Sequence, residues 1–195
     1  RIRQADLEPF DFERANMSES LWFAEGFTSY YGELSIYRAG ESDIGDLTGT
    51  LSNWIDTVIN SPGRSFASPA GMSMQAPFVD AATAIDPTNF ANTFISYYTY
   101  GAAIGVALDL AIRGRFQDLS LDSLMQHMWQ QYGKTETPYT NDDIRDALAE
   151  VTGNRRFANE FFDRYVFDSE LPDYESLLAQ AGLLLRRSNQ GSAFL

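Results

Sequence analysis

The segment Ala102–Leu108 constrains the fold most, because it is small and apolar on nearly every side of the helix that it predicts. A helix that is apolar all round has to be covered by other elements on several sides. We expect this helix to run from about Phe94 to Ile112, with Gly114 as its stop. The chain is therefore expected to pack its other elements around one buried central helix.

Most of the remaining sequence also has helical spacing of its apolar residues. The predicted helices cover about residues 17–39, 43–59, 94–112, 121–132, 140–153, 155–166 and 174–181. Residues 64–92 have no steady period and predict a long ordered loop with one short helix, and residues 183–185 are a candidate strand. About seven helices and almost no strand pattern predict an all-α fold.

Composition excludes several classes of function. The 195 residues include 14 basic and 27 acidic side chains, a net charge of −13, so the long-range field disfavours a nucleic acid or an anionic membrane surface as partner. The absence of cysteine excludes disulfides, thiolate metal sites and a cysteine nucleophile. With 44% hydrophobic and 14% aromatic residues, the chain can build a well-packed core.

Glu25 and Gly26 stand out inside an apolar and aromatic run. A carboxylate that is half buried must be paired, hydrogen-bonded or bound to a metal. A glycine inside a helix costs roughly 1 kcal/mol relative to alanine, so something is expected to approach the backbone closely at Gly26. The structural alternative is an ion pair between Glu25 and an arginine of another helix, beside a packing glycine.

The segment Leu21–Tyr31 resembles the W-x-x-E-G-F-x-x-Y element of the glycyl aminopeptidase family of zinc metallopeptidases. Residues 1–12 and the segment Ser96–Gly101 are similar to further stretches of that family. The resemblance implies the helical lobe of a thermolysin-like catalytic domain. It also implies that Glu25 is the third protein ligand of a catalytic zinc, next to two histidines of an H-E-x-x-H helix.

A second element of the resemblance concerns the tyrosine cluster. Tyr98-Thr99-Tyr100-Gly101 aligns with the Y-x-K-G element of zinc aminopeptidases, in which the tyrosine hydrogen-bonds the oxyanion. Tyr98 is therefore the candidate catalytic residue, and Tyr100 stands where the relatives have lysine. Thr28, Ser29 and Tyr97 are weaker candidates for supporting or cleft positions. His127, the only histidine, is expected to be a packing or surface residue.

The missing histidines limit what the chain can do by itself. It has no H-E-x-x-H motif, so two zinc ligands and the general base have to come from elsewhere in the catalytic domain. Residues 1–187 are interpreted as the C-terminal helical half of that domain, and residues 188–195 as a linker toward a PDZ-type module. The chain alone is expected to be inactive, not to bind Zn²⁺, and to self-associate through exposed apolar surface.

Two functions follow from these patterns. In the first, the whole protein is a zinc-dependent aminopeptidase that removes N-terminal residues, with a preference for glycine, from peptides. In the second, the chain is a non-catalytic acidic helical module that binds another protein. The sequence leaves the compartment open, although acidic charge without cysteine leans toward a periplasmic or secreted protein over a cytoplasmic one.

Overall fold

Helix α6 (Tyr97–Arg115) forms the centre of the fold in a computed structural model that describes residues 3–80 and 88–188. Thirteen of its residues are buried, among them the whole stretch from Tyr100 to Asp109. It contacts α1, α2, α3, α7 and α10 as well as the helical turns around Glu25. The expected buried central helix is therefore confirmed, although it starts and ends about three residues later than predicted.

The other helices surround α6. They are α1 (Thr28–Arg38), α2 (Ile44–Asn60), α3 (Pro69–Met74), α4 (Ala76–Val79), α5 (Phe90–Thr93), α7 (Leu121–Met128), α8 (Asn141–Thr152), α9 (Arg155–Tyr165) and α10 (Tyr174–Gln180). Within residues 3–80 and 88–188, seven helices have at least seven residues and no strand is present. The all-α fold class is therefore confirmed.

The expected first helix is divided into two kinds of helix. Residues Trp22–Phe27 form a π-helix, and α1 continues from it in the same direction. A π-helix widens the turn by one residue, is rare, and is frequent at functional sites. The predicted single α-helix over residues 17–39 is therefore wrong in its first turns, where the backbone is wider than sequence periodicity can reveal.

The long loop predicted over residues 64–92 is more regular than expected. Ser68 caps α3 by accepting a hydrogen bond from the Gly71 backbone N–H, and Pro69 occupies the first turn, where its missing N–H costs nothing. Two further short helices, α4 and α5, lie in the same region. The prediction of a loop with one short helix missed the other two in the described part, because they are too short to show a period; residues 81–87 of the predicted loop lie outside the described residues.

The two chain ends differ from the expectation in detail. Gln4 pairs with Tyr139 in an isolated parallel bridge, with the Ala5 N–H 2.8 Å from the Tyr139 carbonyl oxygen. Residues 183–185 are irregular and do not form the candidate strand. The predicted linker 188–195 lies outside the described residues except for Ser188.

The stretch Phe90–Arg115 is apolar and long enough to cross a membrane by length and composition alone. However, 78% of its most apolar window is buried by the other helices, as is usual for a core helix.

Candidate active site

The π-helix Trp22–Phe27 carries Glu25 and is anchored by its first residue. Trp22 is fully buried, its backbone N–H donates to the Ser73 hydroxyl at 2.9 Å, and its indole N–H donates to Asn141 Oδ1 at 3.1 Å. The indole also packs edge-on against Phe27 and Phe162. These contacts fix the rotation of the π-helix, and Glu25 is left half buried.

Two glycines allow the π-helix to cross α6 with almost no space between the backbones. A Cβ atom added to Gly26 would collide with the Cα of Gly101, and one added to Gly101 would collide with the Trp22 carbonyl oxygen. Gly105, one turn further along α6, receives the Phe27 ring. The close approach expected at Gly26 is therefore confirmed, and its partner is the first turn of α6.

This crossing brings Glu25 next to Tyr98. Burial raises the pKa of the Tyr98 hydroxyl above its ordinary value, and the charge of Glu25 and a hydrogen bond to its carboxylate add to the increase. The Tyr98 side chain is nevertheless 44% exposed. Tyr98 therefore stays a neutral hydrogen-bond donor at neutral pH and is accessible from solvent.

Tyr97 makes the matching contact with another carboxylate. Its hydroxyl donates to Asp80 Oδ2, and its ring centroid lies 5.1 Å from that of Tyr98. The Tyr97 side chain is only 3% exposed. Burial raises its pKa first, followed by the hydrogen bond to Asp80, and the charge of Glu25 contributes as well. Two adjacent tyrosines thus direct their hydroxyls to two different carboxylates.

Tyr139 borders Glu25 from another direction. It is 2% exposed, and burial raises its pKa, with a further contribution from the charge of Glu25. A hydrogen bond with Gln4 acts in the opposite direction on that pKa. The carboxylate of Glu25 therefore lies beside Tyr98, and its charge also acts on Tyr97 and Tyr139.

No cation pairs with Glu25 among residues 3–80 and 88–188. The structural alternative is therefore half right, because the packing glycine is present and an arginine partner is not found in the described part of the chain. The Glu25 carboxylate is therefore left without an opposite charge in the described part of the chain, which makes it a candidate ligand for a cation.

The described residues fit one ligand of a metal site and not a complete site. Nowhere in the described part of the chain do three or more His, Cys, Asp or Glu side chains come close enough to hold a metal ion. A catalytic zinc requires three protein ligands of this type. Glu25 could supply one carboxylate oxygen, and the remaining ligands would have to come from outside the described residues.

The other candidate residues lie around this centre with different contacts. The Thr28 hydroxyl donates to the Ala24 carbonyl oxygen at 2.5 Å, and the Ser29 hydroxyl donates to the Glu25 carbonyl oxygen at 2.9 Å. Both hydroxyls thus hydrogen-bond the backbone of the preceding turn, and neither donates to the Glu25 carboxylate.

Tyr100 and His127 are outside the centre. Tyr100 is 1% exposed, and its hydroxyl has no partner among the described residues. Burial raises its pKa to about 12. His127 Nε2 lies 3.0 Å from Glu150 Oε2, in a pair between α7 and α8. The expectation that His127 is a packing residue agrees with this position.

Sequence reasoning missed Asp80, Ser73 and Asn141. Asp80 lies in a region without a period, 17 residues before its partner Tyr97. Asn141 comes 119 residues after Trp22, and no local pattern connects the two. A short polar residue that is buried needs a partner, but the sequence does not show which one.

A groove of about 460 Å³ runs beside the site. Its walls come from α1, the π-helix, α7 and Tyr139, and include Phe23, Ala24, Phe27, Thr28, Tyr31 and Met125. The groove is mainly apolar and follows the helix that carries Glu25.

Comparison with known proteins gives two matches. The model of the M61 glycyl aminopeptidase family matches residues 1–104, which include Glu25, Asp80, Tyr97 and Tyr98. The crystal structure of an aminopeptidase N family protein from Idiomarina loihiensis superposes with a TM-score of 0.85 at 25% sequence identity, over 94% of this chain. The chain spans 30% of that protein's length. No curated protein matches the chain.

Proposed function

Because this chain belongs to the M61 glycyl aminopeptidase family, we propose that it forms part of the active site of a zinc-dependent aminopeptidase that removes N-terminal residues, glycine above all, from peptides. The observation that carries this proposal is the contact between Glu25 and Tyr98. The two residues belong to two different elements of the family resemblance, lie 73 positions apart, and meet at the Gly26–Gly101 crossing.

Glu25 is proposed to bind the zinc ion through its carboxylate. Its charge is uncompensated by a cation among the described residues, and its surroundings of tyrosine side chains exclude part of the water. Two histidines and a general base glutamate would complete the site from outside these 195 residues. The chain alone is therefore proposed to be inactive, with the rest of the catalytic domain and the peptide as its partners.

Tyr98 is proposed to stabilise the oxyanion of the scissile carbonyl. When bound, zinc would polarise this carbonyl and activate a water molecule for attack. The Tyr98 hydroxyl is a neutral donor that lies beside Glu25 and is exposed enough to meet a substrate. A donor that is already oriented stabilises the developing charge without reorganisation.

Gly26 and Gly101 set the distance between these two groups. Because the backbones touch at the crossing, the backbone positions that carry Tyr98 and Glu25 cannot separate without a shift of whole helices. Trp22, held by Ser73 and Asn141, fixes the rotation of the segment that carries Glu25. Such fixed geometry is what a hydrolytic site requires of its supporting residues.

The proposal is tested on the full-length protein by measuring zinc content and hydrolysis of glycyl-p-nitroanilide in the same samples. We expect about one zinc per wild-type molecule, and loss of both metal and activity in Glu25→Ala. Glu33→Ala removes a carboxylate from the same helix and should change neither. Absence of zinc from the wild type, or unchanged metal and rate in Glu25→Ala, would refute the proposal and favour the non-catalytic binding module.

A further inference from the structure

An aminopeptidase has to recognise a free α-ammonium group very close to the bond that it cuts. In the first residue of a peptide, the α-nitrogen is separated from the carbonyl carbon by only one carbon atom. The group that binds this ammonium must therefore lie a few ångströms from the group that binds the oxyanion. A carboxylate without another cation is the ordinary partner for an ammonium.

Asp80 meets this requirement by its position. It follows α4 directly and is exposed, and the Tyr97 hydroxyl donates to its Oδ2. The Tyr97 ring packs against the Tyr98 ring at 5.1 Å with an interplanar angle of 32°. The Asp80 carboxylate is therefore connected to Tyr98 through one intervening aromatic ring, that of Tyr97.

The charges of the two carboxylates reach the same two tyrosines. Both Glu25 and Asp80 contribute to raising the pKa of Tyr97 and that of Tyr98. This shared influence agrees with the short distance between the Tyr97 and Tyr98 rings and with the hydrogen bond between Tyr97 and Asp80. Electrostatic influence of this kind declines steeply beyond a Debye length, about 10 Å at ordinary salt.

Asp80 also differs from the other carboxylates that accept hydrogen bonds from tyrosines. Asp109 pairs with Arg113, and Asp122 pairs with Arg38. Asp143 accepts from the Thr140 backbone and hydroxyl at the start of α8. Asp80 has a neutral partner and no cation in the described part of the chain. Its orientation is fixed by a tyrosine that is itself 97% buried, so the carboxylate is held in place and its charge is free.

We propose that Asp80, oriented by Tyr97, binds the α-ammonium group of the peptide substrate and so makes the enzyme specific for free N-termini. The inference rests on the proposed function, since it requires a peptide to be cut beside Tyr98. Asp80 is a specificity residue that touches the substrate, and Tyr97 is a positioning residue that acts through it.

The test compares Asp80→Asn with Asp163→Asn in the full-length protein. Asp163 is exposed on α9, so its substitution removes the same charge at a position that does not contact Tyr97 or Tyr98. The substrates are glycyl-p-nitroanilide and N-acetylglycyl-p-nitroanilide. Glycine hydroxamate and N-acetylglycine hydroxamate serve as competitive inhibitors, which report binding without turnover.

We expect Asp80→Asn to raise KM for the glycyl substrate about 10- to 100-fold, as for loss of a charge-assisted hydrogen bond. The inhibition constant of glycine hydroxamate should rise by the same factor, and that of the acetylated inhibitor should stay unchanged. Tyr97→Phe should raise the same two constants about 3- to 10-fold. Asp80→Glu should recover part of the loss because it restores the charge.

Two results would overturn the inference, and they are distinguishable. If the wild type cleaves the glycyl substrate and Asp80→Asn behaves like Asp163→Asn toward both inhibitors, Asp80 does not bind the ammonium while the proposed function stands. If the wild type neither holds zinc nor cleaves the substrate, the proposed function fails and this inference fails with it.

Discussion

Two carboxylates lie at different ends of the centre of the fold, each beside a tyrosine hydroxyl. Asp109 belongs to the C-terminal half of α6 and accepts a hydrogen bond from Tyr30, whereas Glu25 lies beside Tyr98 in the N-terminal turn of α6. They differ in burial and in the number of partners. This difference separates a carboxylate that holds the fold together from one that is available for chemistry.

Asp109 is fully engaged by the fold. It is 3% exposed and accepts hydrogen bonds from the Tyr30 hydroxyl at 2.8 Å, the Arg113 Nε at 2.9 Å and the Leu121 backbone N–H at 2.8 Å. These partners connect α1 and the start of α7 to α6. Every oxygen of this carboxylate is therefore used in packing, and its charge is balanced by Arg113.

The surroundings of Glu25 differ from those of Asp109 in burial and in the absence of a cation partner within the described part of the chain. It is half buried, faces tyrosine side chains, and has no cation partner among the described residues. A carboxylate of this kind beside a glycine with no room for a Cβ atom fits the proposed role of Glu25 as a metal ligand. The comparison therefore predicts that substitution of Glu25 affects zinc binding, whereas substitution of Asp109 affects the free energy of unfolding.

The largest expected effect comes from the glycine crossing that sets the position of Glu25. Gly101→Ala should destabilise the protein by more than about 4 kcal/mol, because a backbone carbonyl cannot move aside as a side chain can. Thermal unfolding measured by circular dichroism checks this expectation. Gly49→Ala is the control, since no atom lies within 4 Å of the added Cβ, and it should be stabilising by about 0.5–1 kcal/mol. Equal behaviour of the two variants would contradict the proposed steric role of the crossing.

The next effect concerns the donor beside Glu25. Tyr98→Phe should lower kcat of the full-length enzyme about 10²- to 10³-fold with little change in zinc content, as for loss of one oxyanion donor. Unfolding should be nearly unchanged, because Tyr98 is 44% exposed. Tyr37→Phe, on the exposed end of α1, serves as the control for loss of a tyrosine hydroxyl. A Tyr98→Phe enzyme with a wild-type kcat would remove Tyr98 from the mechanism.

The smallest effect sharpens the comparison with a third carboxylate, Asp122. It is bound by Arg38 and by the Tyr31 hydroxyl, and the hydrogen bond from Arg38 holds its pKa below the ordinary value. A carboxyl group with a lowered pKa in the folded state stabilises the protein above its unfolded pKa and loses that contribution as the pH falls through the folded one.

Asp122→Asn should therefore cost about 0.5–1 kcal/mol at pH 7, a value kept small by the exposure of both partners. The cost should begin to decrease near pH 4, the ordinary pKa of an aspartate, and should disappear once the pH is below the lowered pKa of the folded protein. Urea unfolding of both proteins across this pH range measures the difference. A cost that is the same at pH 7 and at low pH would show that Asp122 acts through shape and not through charge.

The sequence was sufficient to predict the long helices, whose apolar residues recur with helical spacing. It also identified the residues that interrupt this spacing. The apolar segment Ala102–Leu108 predicted the buried helix, and the Glu25-Gly26 pair predicted a close approach, because both features conflict with an ordinary amphipathic helix. The identity of the approaching element, Gly101, could not be derived from periodicity, since any small residue on any helix would satisfy the same requirement.

Other features could not be predicted from the sequence, because they depend on contacts between distant residues. The π-helix depends on how Trp22 is held by Ser73 and Asn141, which are distant in the chain. Asp80 lies at the end of a four-residue helix that is too short to show a pattern. In each case tertiary contacts decide the local conformation, and the local sequence is compatible with several outcomes.

The most direct test of the comparison is to measure zinc content and unfolding free energy for Glu25→Gln and Asp109→Asn side by side, with unfolding followed on metal-free protein. We expect Glu25→Gln to lose zinc and to keep the metal-free stability within about 1 kcal/mol. Asp109→Asn should lose about 2–4 kcal/mol of stability, as for a broken buried pair, and should still bind zinc at a temperature where it is folded. If Glu25→Gln retains zinc and instead unfolds as easily as Asp109→Asn, Glu25 is a structural carboxylate and the proposed role at the N-terminal end of α6 is wrong.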